Sequence, residues 1–103
     1  MGFLSNLFGG SSQVNLKEII EEGAFLVDVR EKSEFAGGSA KGAVNIPLGT
    51  IPSQLSKFQN KKNIIVFCRS GARSGQAKSI LQANGFNNVV NGGTWQSVAQ
   101  MVG

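Results

Sequence analysis

The one cysteine of this chain, Cys68, is followed directly by Arg69-Ser70-Gly71-Ala72-Arg73-Ser74. A thiol beside two arginines and a turn of small residues has the makings of an anion-stabilised nucleophile. Small side chains at 70–72 let the backbone wrap tightly, so several N–H groups can converge on the sulfur. A helix opening at this point adds partial positive charge, and Arg69 and Arg73 add whole charges. Each effect favours thiolate over thiol, so the Cys68 pKa is expected below the usual value of about 8.5. The same donors would hold an anion bonded to the sulfur, which points to a covalent adduct in a small electropositive cradle. Ser70 and Ser74 read as loop and capping hydroxyls, since no base is at hand to activate them. The competing reading of Cys68 is an inert buried cysteine at a strand end. The two arginines and the glycine turn weigh against it.

Composition narrows the chemistry further. The chain has 103 residues, one cysteine, no histidine and a net charge of +4. Cys/His zinc sites, internal disulfides, paired-cysteine redox centres and histidine-base mechanisms are thereby excluded. No metal and no cofactor is expected. All acidic residues (Glu18, Glu21, Glu22, Asp28, Glu31, Glu34) lie in the first third. Beyond residue 34 only Lys41, Lys57, Lys61, Lys62, Arg69, Arg73 and Lys78 carry charge, a balance that favours anionic ligands. The lysines read as a solvated face, and no basic–aromatic interleaving points to nucleic acid. No apolar run reaches the ~18–20 residues that span a bilayer.

The elements that must hold the cysteine follow from periodicity. Asn15 and Glu18 have capping-box spacing, opening a helix through Leu16, Ile19 and Ile20 that ends at Gly23. Residues 24–29 are an apolar run of strand length, followed by a polar turn or short helix over 30–35. Val44 to Pro47 is extended, and Pro52 opens a helix carrying Ile51, Leu55 and Phe58. Ile64 to Phe67 is the most apolar strand, central in the sheet, and it delivers Cys68 to its carboxyl end, where open α/β sheets bind ligands. A helix with Ala77, Ile80, Leu81 and Ala83 on its apolar stripe follows and stops at Gly85. Residues 86–90 form another strand, Gly92-Gly93 turn the chain, and Thr94 caps a last helix bearing Trp95, Val98, Ala99 and Val102. Alternating strands and helices predict an α/β fold with a mainly parallel sheet.

Residues 1–12 are read as a separate N-terminal segment and linker, with 13–103 as the domain. Phe3, Leu4, Leu7 and Phe8 share one face if helical, suited to packing on the domain or to self-association. The segment lacks the basic start of a secretory signal and the Ser or Thr at position 6 of a myristoylation signal. With one unpaired cysteine, the expected location is the reducing cytoplasm.

Four landmarks stand in order: Asp28-Val29-Arg30-Glu31 with Glu34-Phe35; Gly42-Ala43-Val44-Asn45-Ile46-Pro47; Cys68 through Ser74; and Gly92-Gly93. Together they resemble the single-domain rhodaneses over residues 13–103. The resemblance implies a three-layer sandwich, a central, mainly parallel sheet flanked by helices. It also implies a sulfurtransferase in which Cys68 takes the outer sulfur of thiosulfate or another sulfane-sulfur donor and holds it as a persulfide. Arg69 to Arg73 would cradle that persulfide, Arg73 and Arg69 would attract the donor, and Asp28 and Arg30 would be scaffold residues near the site. The chain departs from the family in having Gly38-Ser39-Ala40 where a Gly-His-Ile triplet is common, and in placing Trp95 close behind the double glycine, where it reads as core or rim packing.

Two other functions are weighed beside this one. Phosphatase or arsenate reductase chemistry is one: cysteine phosphatases of related fold have one more residue between cysteine and arginine than the four between Cys68 and Arg73. The tighter loop suits a single extra sulfur better than a tetrahedral oxyanion. A non-catalytic binding module of the same fold commonly lacks the cysteine that is kept here. Since there is no second cysteine to resolve a persulfide, the acceptor must come from outside: cyanide, a small thiol or a thioredoxin-like protein.

Overall fold

The structure is a computed structural model describing residues 15–102. The expectations for residues 1–12 fall outside the described residues. Helix α1 (Leu16–Glu21) leads to strand β1 (Phe25–Asp28), helix α2 (Lys32–Ala36) and strand β2 (Val44–Asn45). Two 3-10 turns (Leu48–Ser53 and Leu55–Phe58) precede β3 (Ile64–Cys68), helix α3 (Ala72–Ala83), β4 (Val89–Thr94) and helix α4 (Trp95–Val102). The sheet has the order β2-β1-β3-β4 with every pair parallel, so each connection crosses over a face.

The central position of β3 follows from its residues. All five, Ile64 to Cys68, are fully buried, as a strand covered on both faces must be. Strand alternation splits them: Ile64, Val66 and Cys68 join Val27, Val29, Ile46, Ile51, Phe58, Ala77 and Leu81 on one face. Ile65 and Phe67 join Leu26, Ala40 and Val98 on the other, with Leu16, Ile19, Ile20 and Trp95 packed against them. The 3-10 turns and α3 therefore form one outer layer and α1 and α4 the other, a three-layer α/β sandwich. Phe58 anchors the first layer, its ring meeting Phe25 and Phe86 edge-on at 5.8 and 6.1 Å. A fully buried aromatic or aliphatic side chain of this kind contributes about 1.5–3 kcal/mol.

Two elements differ from the sequence reading. The helix expected to open at Pro52 is instead the pair of 3-10 turns, with Pro52 inside the first. Proline supplies no N–H, and the Thr50 and Ser53 hydroxyls donate to the Pro47 and Thr50 carbonyls, competing with a regular helical ladder. Gly92 and Gly93 do not turn the chain; they lie within β4, whose register against β3 shifts between Val66 and Phe67. The reason is steric. A Cβ on Gly92 would come within 2.9 Å of Ile65 Cγ2 and 3.0 Å of Val98 Cγ2, so only glycine allows α4 to close on the sheet. Phe86 correspondingly lies before the strand and packs on the core.

Candidate active site

β3 ends at Cys68, and the chain reverses at Gly71, whose φ of 98° lies in the left-handed region that L side chains rarely adopt. Gly71 caps α3, so the sulfur sits at the start of a 12-residue helix. The Gly71 N–H donates to Cys68 Sγ at 3.0 Å and the Ser74 N–H at 3.4 Å. The Ser74 hydroxyl oxygen lies a further 3.4 Å from the sulfur. Cys68 has no exposed surface. Burial pushes its pKa up. The Ser74 hydroxyl, when it donates to the sulfur, and the backbone N–H groups of Ser74, Ser70 and Gly71 together outweigh that penalty, and the thiol is then more acidic than an ordinary cysteine.

The neighbouring Arg73 is not an open cation. Its guanidinium grips Glu34 of α2 with two hydrogen bonds, Nη1 to Oε1 at 2.7 Å and Nη2 to Oε2 at 3.1 Å. Glu34 Oε1 also accepts from the Glu31 N–H at 3.0 Å, part of the box that opens α2. The Arg73 hydrogen bonds lower the Glu34 pKa to about 2 from 4.5, assisted by the Glu31 N–H, while Glu34 raises that of Arg73. Because the folded-state pKa is depressed, the unfolded chain binds more protons between these values. The stabilisation is whole above pH 4.5 and disappears as pH falls toward about 2. Glu34→Gln should therefore be less stable than the parent at neutral pH, with the gap closing across that acid window in denaturant titrations. A gap that stays constant would assign the acid sensitivity elsewhere.

Asp28 and Arg30 form a separate, buried pair. The Asp28 carboxylate accepts from the Arg30 backbone N–H at 2.9 Å, from Nε at 3.0 Å and from Nη2 at 2.7 Å. Arg30 Nη2 also donates to the Gly38 carbonyl at 2.6 Å, and its guanidinium lies 5.0 Å from the centre of the Trp95 ring. Asn45 Nδ2 donates to the carbonyls of both residues at 3.0 Å. The pair thus ties the end of β1 to Gly38 and to the start of α4, and Asn45 ties β2 to the same stretch of backbone.

The residues expected at the site are accordingly divided. Cys68, Gly71 and Ser74 meet at the sulfur. Arg69 and Ser70 are exposed on the loop, Ala72 is exposed at the first position of α3, and Arg73 reaches across to α2. Glu34 and Asn91, the latter bonded to both Ser74 and Gly71, were not singled out from the sequence as site residues. No group of three or more His, Cys, Asp or Glu able to hold a metal is present among the described residues. No helix among them is long and apolar enough to cross a membrane.

A family model for the rhodanese-like domain matches residues 12–95. The chain belongs to the rhodanese family. This rhodanese is 37% identical over 70 residues to a sulfurtransferase of Allochromatium vinosum, covering 68% of the chain and 65% of that protein, just under two-thirds of its length. It is 35% identical over 75 residues to the thiosulfate sulfurtransferase PspE of Escherichia coli, covering 71% and 72%. The human single-domain sulfurtransferase TSTD1 superposes with a TM-score of 0.71 at 29% identity, covering 82% of this rhodanese and 89% of that chain. Ser39, at the position where the family often has histidine, supplies its own anchor: its hydroxyl donates to Asp28 Oδ2 at 2.7 Å.

Proposed function

We propose that this rhodanese transfers sulfane sulfur from thiosulfate or a persulfide donor to a thiophilic acceptor by way of a persulfide on Cys68. The observation that carries this reading is the sulfur itself, the one thiol of the chain, accepting N–H groups from Gly71 and Ser74 at the start of α3. The thiolate attacks the outer sulfur of thiosulfate, a new S–S bond forms, and sulfite departs with the electron pair of the bond that breaks. Gly71 and Ser74 hold the sulfur, with Ser70 and Ala72 completing the turn. Exposed Arg69 meets the anionic donor first, and Arg73, restrained by Glu34, supplies charge beside the sulfur. Cys68 is closed to solvent at rest, so loading requires the loop around it to part. The acceptor is an external thiol, cyanide or a thioredoxin-like protein, since the chain offers no resolving cysteine. We place the reaction in a reducing cytoplasm, where a lone thiol stays free.

Incubation with thiosulfate followed by intact mass measurement tests this directly. The protein should gain the mass of one sulfur atom and lose it to cyanide as thiocyanate. Turnover of an aryl phosphate without sulfur loading would overturn the proposal in favour of a phosphatase. Neither reaction, with recovery of a stable partner, would favour a binding module.

A further inference from the structure

The Ser74 hydroxyl stands between two groups that compete for its single proton. Its oxygen lies 3.4 Å from Cys68 Sγ and 2.7 Å from Asn91 Oδ1. The Asn91 amide can take only one orientation. The Gly93 N–H donates to Oδ1 at 2.9 Å, and Nδ2 donates to the Gly71 carbonyl at 3.1 Å. Reversed, the amide would set donor against donor and acceptor against acceptor. Oδ1 therefore only accepts, and the Ser74 proton lies on the Asn91 side. Ser74 turns a lone pair toward the sulfur, which suits a thiol S–H and opposes a thiolate. To donate to an ionised sulfur, the hydroxyl must swing away from Asn91.

We propose that Asn91 is a positioning residue that acts through Ser74: by holding the hydroxyl proton, it sets how readily Cys68 becomes a thiolate. This deepens the sulfur-transfer reading and rests on it for the thiolate being the working form. Asn91 lies on β4, paired with Val66 immediately before the irregular register, so the sheet itself carries the restraint. Ionisation gives up the S–H···O contact to Ser74 and the O–H···O hydrogen bond to Asn91 for one O–H···S hydrogen bond, and the thiol proton leaves to solvent. The charged groups beside the sulfur are Arg73 of α3 and, across from it, Glu34 of α2. Both are kept in every variant below.

The test is thiolate ultraviolet absorption against pH. With one cysteine and no tyrosine in the chain, the signal belongs to Cys68 without tyrosinate overlap. Asn91→Ala and Asn91→Asp are each measured with Ser74 present and in a Ser74→Ala background. Asn91→Ala frees the hydroxyl, so its effect on the titration midpoint should be lower by about half a unit or more with Ser74 than without, a threefold or greater coupling in the acid constant. Asn91→Asp keeps the acceptor toward Ser74 and Gly93 and strengthens it, so it should raise the midpoint more with Ser74 than without. Equal shifts in the two backgrounds, or coupling of the opposite sign, would overturn the proposal. The absorption needs no sulfur donor. Failure of thiosulfate loading would thus sink the sulfur-transfer reading without deciding this titration.

Discussion

Cys68→Ser should reduce sulfur transfer from thiosulfate to cyanide to the rate of the uncatalysed blank, a loss on the order of 10³-fold or more. Each factor of ten corresponds to about 1.4 kcal/mol of barrier, so about 4 kcal/mol of transition-state stabilisation would vanish with one atom. The substitution is close to isosteric, and Gly71 and Ser74 would still present N–H groups to the new oxygen. Hydrogen bonds that make a thiol more acidic fall far short of ionising an alcohol. No histidine exists in the chain to take the proton, and Glu34, the carboxylate facing Arg73, is held ionised and occupied by that arginine. The serine protein should remain folded, with a superimposable circular dichroism spectrum, and show no added sulfur after thiosulfate treatment. Sulfur loading retained in Cys68→Ser would remove the cysteine from the reaction altogether.

That the sulfur and its loop were legible in the sequence has a physical reason. Cys68, Gly71 and Ser74 are neighbours along the chain, and the geometry joining them is a local turn whose glycine requirement shows in residue type. The five buried residues of β3 were equally plain, because burial on both faces leaves an unbroken apolar run. What could not be read is what depends on register and on packing across the fold. Arg73 appeared as a cation open to an anion, yet its carboxylate partner lies 39 positions away on α2. Ser74 reads as a cap until β4 brings Asn91, 17 positions on, to its hydroxyl. Gly92-Gly93 has the composition of a turn, and only the proximity of Ile65 and Val98 shows that the first glycine is spacing for a strand against a helix. Pairings of this kind are consequences of which strand lies beside which, and hydrophobic periodicity carries no information about them.

The largest loss of stability is expected from Asp28→Ala, far from any direct contact with the sulfur. Asp28 has no exposed surface, and the Arg30 side chain is only 6% exposed. Removing the carboxylate leaves a guanidinium buried with one carbonyl, that of Gly38, and the face of Trp95. It also strips the Ser39 hydroxyl and the Arg30 backbone N–H of their acceptor. Breaking a buried ion pair from one side typically costs about 3–5 kcal/mol, because the surviving charge is uncompensated. Against the 5–15 kcal/mol that usually holds a domain together, such a loss is a large fraction of the total. Urea titration should show it as a large fall in midpoint. Asp28→Asn, which keeps an acceptor for the Arg30 N–H and Ser39 while giving up the charge, should fall between parent and alanine. Equal stability of Asp28→Ala and the parent would mean that the guanidinium finds water once its partner is gone, and that the strand ladder and the Asn45 hydrogen bonds suffice to secure β1 to β2. In the fraction that stays folded, the Cys68 titration should keep its midpoint, since no hydrogen bond joins Asp28 to the sulfur or its donors. The scaffold pair would then be separable from the chemical site by measurement, stability moving with one and thiol acidity with the other.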